Sequence, residues 1–169
     1  MAYEVTTHVK RKKKHFSGFI KILIVVMAVS CFLLGVTITT GFLFPCFLLA
    51  GLYYWYTMNI DREYEYTASG DILQIDVIKG GARRSCEHRI PFVDIEVIAP
   101  HAHSAVARYR IKGGSERLKK YDYTSYDDSI PYFTVIARED GKKIKILMDL
   151  DDSMLRILKT RMPDRVYTS

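Results

Sequence analysis

Lys79, Arg83, Arg84, His88 and Arg89 surround the pair Gly80-Gly81. Guanidinium forks match the oxygens of phosphate, and a lysine adds a compact charge. Lys79, Arg83, Arg84 and Arg89 are therefore the candidate lipid- or anion-binding residues, with an ordinary solvated hairpin as the alternative. A second group is Cys86, His88, His101 and His103. Two imidazoles spaced i, i+2 on an extended segment can ligate zinc or copper, and Cys86 and His88 alternate in the same way. A four-ligand site would need two segments to converge, and no CxxC or HExxH spacing supports it. Solvated histidines, with no metal and no cofactor, are the expectation. Carboxylates cluster at Asp127-Asp128 and at Asp149, Asp151 and Asp152, without the glycine spacing of a calcium loop. No Gly-rich phosphate loop, Gly-x-Ser-x-Gly elbow or Cys/His nucleophile pattern occurs. These absences favour a non-catalytic binding or scaffold module. The alternatives are a metal-dependent membrane enzyme using the Cys/His group, and an accessory subunit of a transport or envelope complex.

The elements that carry these residues are marked by charge. Between Lys21 and Asp61 there is no charged side chain. As one helix, those 39 or so residues would extend roughly 58 Å at 1.5 Å per residue, about twice the hydrocarbon core of a bilayer. Two antiparallel spans fit better, at about residues 19–38 and 42–58 within a segment 18–60. Gly35, Thr37, Thr39, Thr40 and Gly41 mark the turn. Tyr53-Tyr54-Trp55-Tyr56 reads as an interfacial aromatic belt. A second apolar stretch follows the first without a small-x-small cleavage site, so an uncleaved anchor is expected rather than a signal peptide. With no charge inside the spans, the hairpin alone offers no ion path.

The net charge of +6 is uneven. Residues 1–21 carry six basic side chains against Glu4, whereas residues 61–169 are within one charge of neutral. That distribution argues against nucleic acid as a partner. Lys10, Arg11, Lys12, Lys13 and Lys14 lie just before the first span. The positive-inside rule then places residues 1–17 in the cytoplasm as a flexible basic tail. Two spans return the C-terminal part to the same side, giving a multi-pass cell-membrane protein with both termini cytoplasmic. The basic run can also meet anionic headgroups. Three cysteines, Cys31, Cys46 and Cys86, are too few for a disulfide framework. Membrane lipids and an unidentified protein are the expected partners, and a homo-oligomer is allowed.

From Asp61 the apolar period becomes two. Tyr64 and Tyr66, then Leu73, Ile75 and Val77, then Val93, Ile95 and Val97 alternate with polar residues. Further strands are expected at Cys86–Ile90, Val106–Ile111, Lys119–Thr124, Tyr132–Ala137 and Ile144–Leu150. Asp140-Gly141 is a hairpin signal. Asp151, Asp152 and Ser153 can cap a final helix, whose Met154, Leu155, Leu158 and Met162 share a face and which Pro163 ends. About seven antiparallel strands and one C-terminal helix predict a mainly-β domain over residues 61–169. It would be a bent sheet or partly open barrel closed by the helix.

The segments Arg62-Glu63-Tyr64-Glu65-Tyr66-Thr67, Gly70-Asp71-Ile72-Leu73, Ile90-Pro91-Phe92-Val93-Asp94-Ile95-Glu96 and Pro163-Asp164-Arg165-Val166 carry a family resemblance. Behind a hairpin anchor, they resemble small bacterial two-span membrane proteins with a pleckstrin-homology-like (PH-like) domain. The resemblance covers most of the chain and implies a fold and an address, with no catalytic residues. In eukaryotic pleckstrin-homology domains a basic hairpin loop like that around Gly80-Gly81 binds phosphoinositide headgroups.

Overall fold

The computed structural model describes residues 4–12, 16–110 and 114–168. The chain forms two compact units. One comprises Met1–Lys12, Glu63–Ile78 and Arg84–Ser169, and the other Lys13–Arg62 with Lys79–Arg83.

The first unit is mainly β. Strands β1 (Glu4–Lys10), β2 (Arg62–Ser69), β3 (Ile72–Lys79) and β4 (Arg83–Pro91) form one sheet in that order. Strands β5 (Ile95–Pro100), β6 (Lys119–Asp122), β7 (Phe133–Glu139) and β8 (Lys142–Met148) form a second, in the order β5-β7-β8-β6. Alternation works as the sequence predicts. Tyr64, Tyr66, Leu73, Ile75 and Val77 from the first sheet meet Ile98, Val135, Ile146 and Met148 from the second in one core. Helix α3 (Asp152–Arg161) adds Met154 and Leu158 to it. The helix starts where expected, with Asp151 accepting from Met154 N at 2.8 Å. Asp140 and Gly141 take φ of 50° and 74°, the left-handed pair that a tight β7–β8 hairpin needs.

Three expectations are corrected. The basic segment before the first span is no flexible tail over residues 4–10, which form β1 and pair antiparallel with β2 from Glu4↔Ser69 to Lys10↔Glu63. The chain 104–109 is a 3₁₀ helix (Ser104–Tyr109), not a strand. Strand β6 runs parallel to β8, so the second sheet is mixed. The mistaken strand arises because the second sheet is apolar on both faces. A register shift between Ile95 and Val97 turns Val97 and Ala99 outward, where Val106 and Tyr109 of the 3₁₀ segment cover them together with Ile136.

The second unit is a helical hairpin, α1 (Phe16–Thr37) and α2 (Leu43–Ile60), joined through a 3₁₀ turn at Thr40–Phe42. Both helices are long and apolar enough to cross a membrane. Only a narrow stripe of α1 is covered: Ser17, Lys21, Ile24, Ala28, Cys31 and Gly35. Its spacing of alternating four and three residues is that of a two-helix seam. Gly35 sets the approach near the turn, since a Cβ there would lie 2.8 Å from Leu43 Cδ2. Elsewhere large apolar side chains stand open, with Val36 67% and Phe47 77% exposed. Cys31, Cys46 and Cys86 are all free thiols.

Candidate functional site

The four anion-binding candidates divide between the two units. Lys79 and Arg83 belong with the helices. They flank the β3–β4 turn, where Gly80 and Gly81 take φ of 61° and 72°. Gly80 N donates to Asp61 O at 2.7 Å, just past the end of α2, and any Cβ on Gly80 would strike Met58 Sδ. Glycine is thus favoured there by its left-handed conformation, and a Cβ would also require the Met58 side chain to move. Lys21 reaches Asp61 at 4.0 Å, and Arg62 Nε donates to Asn59 O at 3.0 Å. One end of the helical hairpin therefore carries Lys21 and Arg62, and the turn bearing Lys79 and Arg83 is held to it through Gly80 and Asp61. Tyr53, Tyr54, Trp55 and Tyr56 lie in the last two turns of α2, with Tyr54 64% and Trp55 63% exposed.

Arg84 and Arg89 belong to the sheet unit. Arg84 lies on the outer face of the first sheet, and its guanidinium is already engaged. Nη2 meets Asp76 at 2.6 Å and Glu65 at 2.8 Å, and Nε meets Asp76 at 2.8 Å. Burial opposes ionisation of Asp76, but Arg84 and then Gln74 outweigh it and hold the carboxyl below its usual range. Arg89 donates to Gln74 Oε1 at 3.2 Å. Sequence alternation could not reveal that Asp76 and Glu65 are buried partners of Arg84, because they sit on other strands.

The basic run is likewise distributed. Lys10 pairs with Glu63 at 2.9 Å, the Arg11 guanidinium lies 4.1 Å from the Tyr126 ring centroid, and Lys12 pairs with Asp127 at 2.8 Å. Lys12 and then Ser129 lower the Asp127 carboxyl to about 2. Lys13 and Lys14 lie outside the described residues.

The Cys/His group does not assemble. Side-chain alternation breaks inside β4, so Cys86 is exposed and His88 is buried. His88 Nδ1 contacts Glu139 at 2.7 Å, and its ring packs edge-on against Tyr121 and Tyr123. His101 lies against Tyr132, and His103 stacks on Tyr167. Among the described residues no three His, Cys, Asp or Glu side chains are grouped to hold a metal ion.

Two sheets, a closing C-terminal helix and a helical hairpin set between the first two strands describe an unusual arrangement. A single family profile, that of a bacterial PH-like domain (DUF6106), matches residues 5–168 and so takes in β1, the hairpin and the sheets together. The chain belongs to the bacterial PH-like domain family. No curated protein and no solved structure is significantly similar to it. In this PH-like chain the helices lie within the matched range. The domain begins at β1 rather than at residue 61.

Proposed function

We propose that this PH-like protein is a membrane-tethered, non-catalytic binding module whose β3–β4 turn contacts anionic lipid headgroups. The observation that carries this reading is the grouping of Lys79 and Arg83 with the helical hairpin, beside Lys21 and Arg62 at one end of the helix pair. The apolar helix surfaces suit lipid, and the aromatic residues of the last turns of α2 suit the headgroup layer. The connectivity supports a topology as well. β1 and β2 are paired neighbours, so a chain leaving after Lys12 and returning at Arg62 must cross the bilayer an even number of times. Both termini then lie on one side, and the basic residues before α1 make that side the cytoplasm.

Each basic side chain near an anionic surface contributes about 1 kcal/mol, or roughly fivefold in affinity. Lys79→Gln with Arg83→Gln, in the full chain reconstituted in nanodiscs, is expected to lower the preference for phosphatidylglycerol over phosphatidylcholine on the order of tenfold or more. Arg84→Gln, whose charge is already shared with Asp76 and Glu65, is expected to leave that preference unchanged. An unaltered lipid preference in the double variant would contradict the reading.

A further inference from the structure

The outer face of the second sheet carries a buried positive cluster that headgroup binding does not use. Register sets Val97, Ile136, Lys145 and Lys120 in one row across β5, β7, β8 and β6. Lys145 and Lys120 are thus direct cross-strand neighbours, a like-charge pair that destabilises a sheet. Lys145 is only 3% exposed. Its Nζ donates to Tyr109 O at 2.8 Å, which uses one of three protons. Arg110 follows directly in the chain and donates through Nη2 to Ala102 O and His103 O, while its Nε is buried without a partner. His101 Nδ1, Tyr109 OH and, two rows along, Thr134 Oγ1 are also buried and unpartnered. Lys120 reaches Asp122 at 2.9 Å, but no carboxylate pairs with Lys145 or Arg110 among the described residues. The charges feel one another. Burial first, then Lys120 and Arg110, lowers the Lys145 amine's affinity for its proton, and His101 is lowered by burial and then by Lys145, Arg110 and Lys120. Burying an ammonium without a counter-charge costs several kcal/mol. A purely structural clamp on Tyr109 O would be served equally by a neutral donor.

We propose that this cluster is a binding site for a tetrahedral oxyanion of the phosphate class, held by Lys145, Lys120, Arg110 and His101. Several spare donors of different direction suit an anion with three or four acceptor oxygens better than a two-oxygen carboxylate. Of the four residues only Lys120, which is partly exposed, lines a groove of about 390 Å³ on this unit, together with Tyr132 beside His101. The groove's other walls include Asp122, Asp127, Asp128 and Asp149, which disfavour an anion there and leave the lysine end as the place for it. The proposal does not depend on the headgroup contact of Lys79 and Arg83.

The test titrates inorganic phosphate into the full chain in phosphatidylcholine nanodiscs at constant ionic strength, following the unfolding midpoint and the ³¹P line width. A parallel arm replaces free phosphate by phosphatidic acid in the nanodisc. Saturable stabilisation in the first arm identifies a soluble phosphate, and in the second arm alone a lipid phosphomonoester. Either supports the site if Lys145→Met and Lys120→Gln each weaken the response about tenfold or more, while Lys142→Gln, an equal charge change on exposed β8 surface, does not. Lys120 is partly exposed and its loss leaves the core intact, so that variant decides the matter if Lys145→Met fails to fold. No saturable response in either arm, or an undiminished one in Lys120→Gln, would overturn the proposal.

Discussion

At the scale of single residues, charge placement separates structural from available cations. Asp76 is 1% exposed and takes four hydrogen bonds from Arg84 and Gln74, all within 3.0 Å. Asp76→Asn is expected to destabilise the domain by about 1–3 kcal/mol, because a buried charge-assisted network loses its acceptor. Chemical denaturation of the full chain in detergent checks it, and Arg84→Gln should show the same direction. Because the folded carboxyl is held below its unfolded value, its stabilising effect is present above pH 4 or so and fades as pH falls through the folded value. Asp127 behaves with the same sign. Its folded value of about 2 rests first on Lys12, so Lys12→Gln is expected to raise it toward the ordinary carboxylate range. Side-chain carboxyl NMR titration reads this directly. An unmoved Asp127 would show that Ser129 alone sets it.

At the scale of elements, the helical hairpin and β1 invite separate tests. Gly35→Leu is expected to separate the helices near their turn, since the added atoms would meet Leu43 Cγ, Cδ2 and backbone N. Thermal melts of the helical signal in detergent should fall by several degrees, while Gly51→Leu, with open space around its Cβ position, should not. Deleting residues 4–10 strips β2 of its partner strand and exposes a row of unpaired backbone groups. Loss of cooperative unfolding or aggregation is the expected outcome. The sequence made some of this legible and hid the rest. Leu73, Ile75 and Val77, or the unbroken apolar run before Asp61, announce their elements through period or length alone. The segment Glu4–Lys10 (EVTTHVK) has modest strand propensity and carries few apolar residues, so only its pairing with a strand more than fifty residues away makes it β. Val106 failed for the opposite reason. Its apolar neighbours suggest a strand, yet they cover an outer sheet face that Val97 and Ala99 expose only because of a local register shift. The candidate site was legible as a basic hairpin, but which of its cations are free was not, because Asp76, Glu65 and Gln74 are partners across strands.

At the scale of the whole molecule, the helical hairpin enters the PH-like chain between its first and second strands, and the proposed topology rests on that connectivity. An anchor fused to one end of a domain could be removed by cleavage and leave the domain intact. Here β1 precedes α1 in the chain and pairs with β2, so cleavage after α1 would break the covalent link between two paired strands. The proposed bilayer contact of the apolar hairpin would also account for the concentration of the charge imbalance near α1. The central claim is that α1 and α2 cross a bilayer and return β1 and β2 to the same side. Site-specific labelling tests it most directly, using a membrane-impermeant maleimide on right-side-out and inside-out vesicles with Cys31 and Cys46 replaced by serine. The account predicts that native Cys86, exposed on β4, reacts only in inside-out vesicles, and that Thr40→Cys in the interhelical turn, with Cys86 replaced, reacts only in right-side-out ones. Labelling of Thr40→Cys from the same side as Cys86 would contradict it.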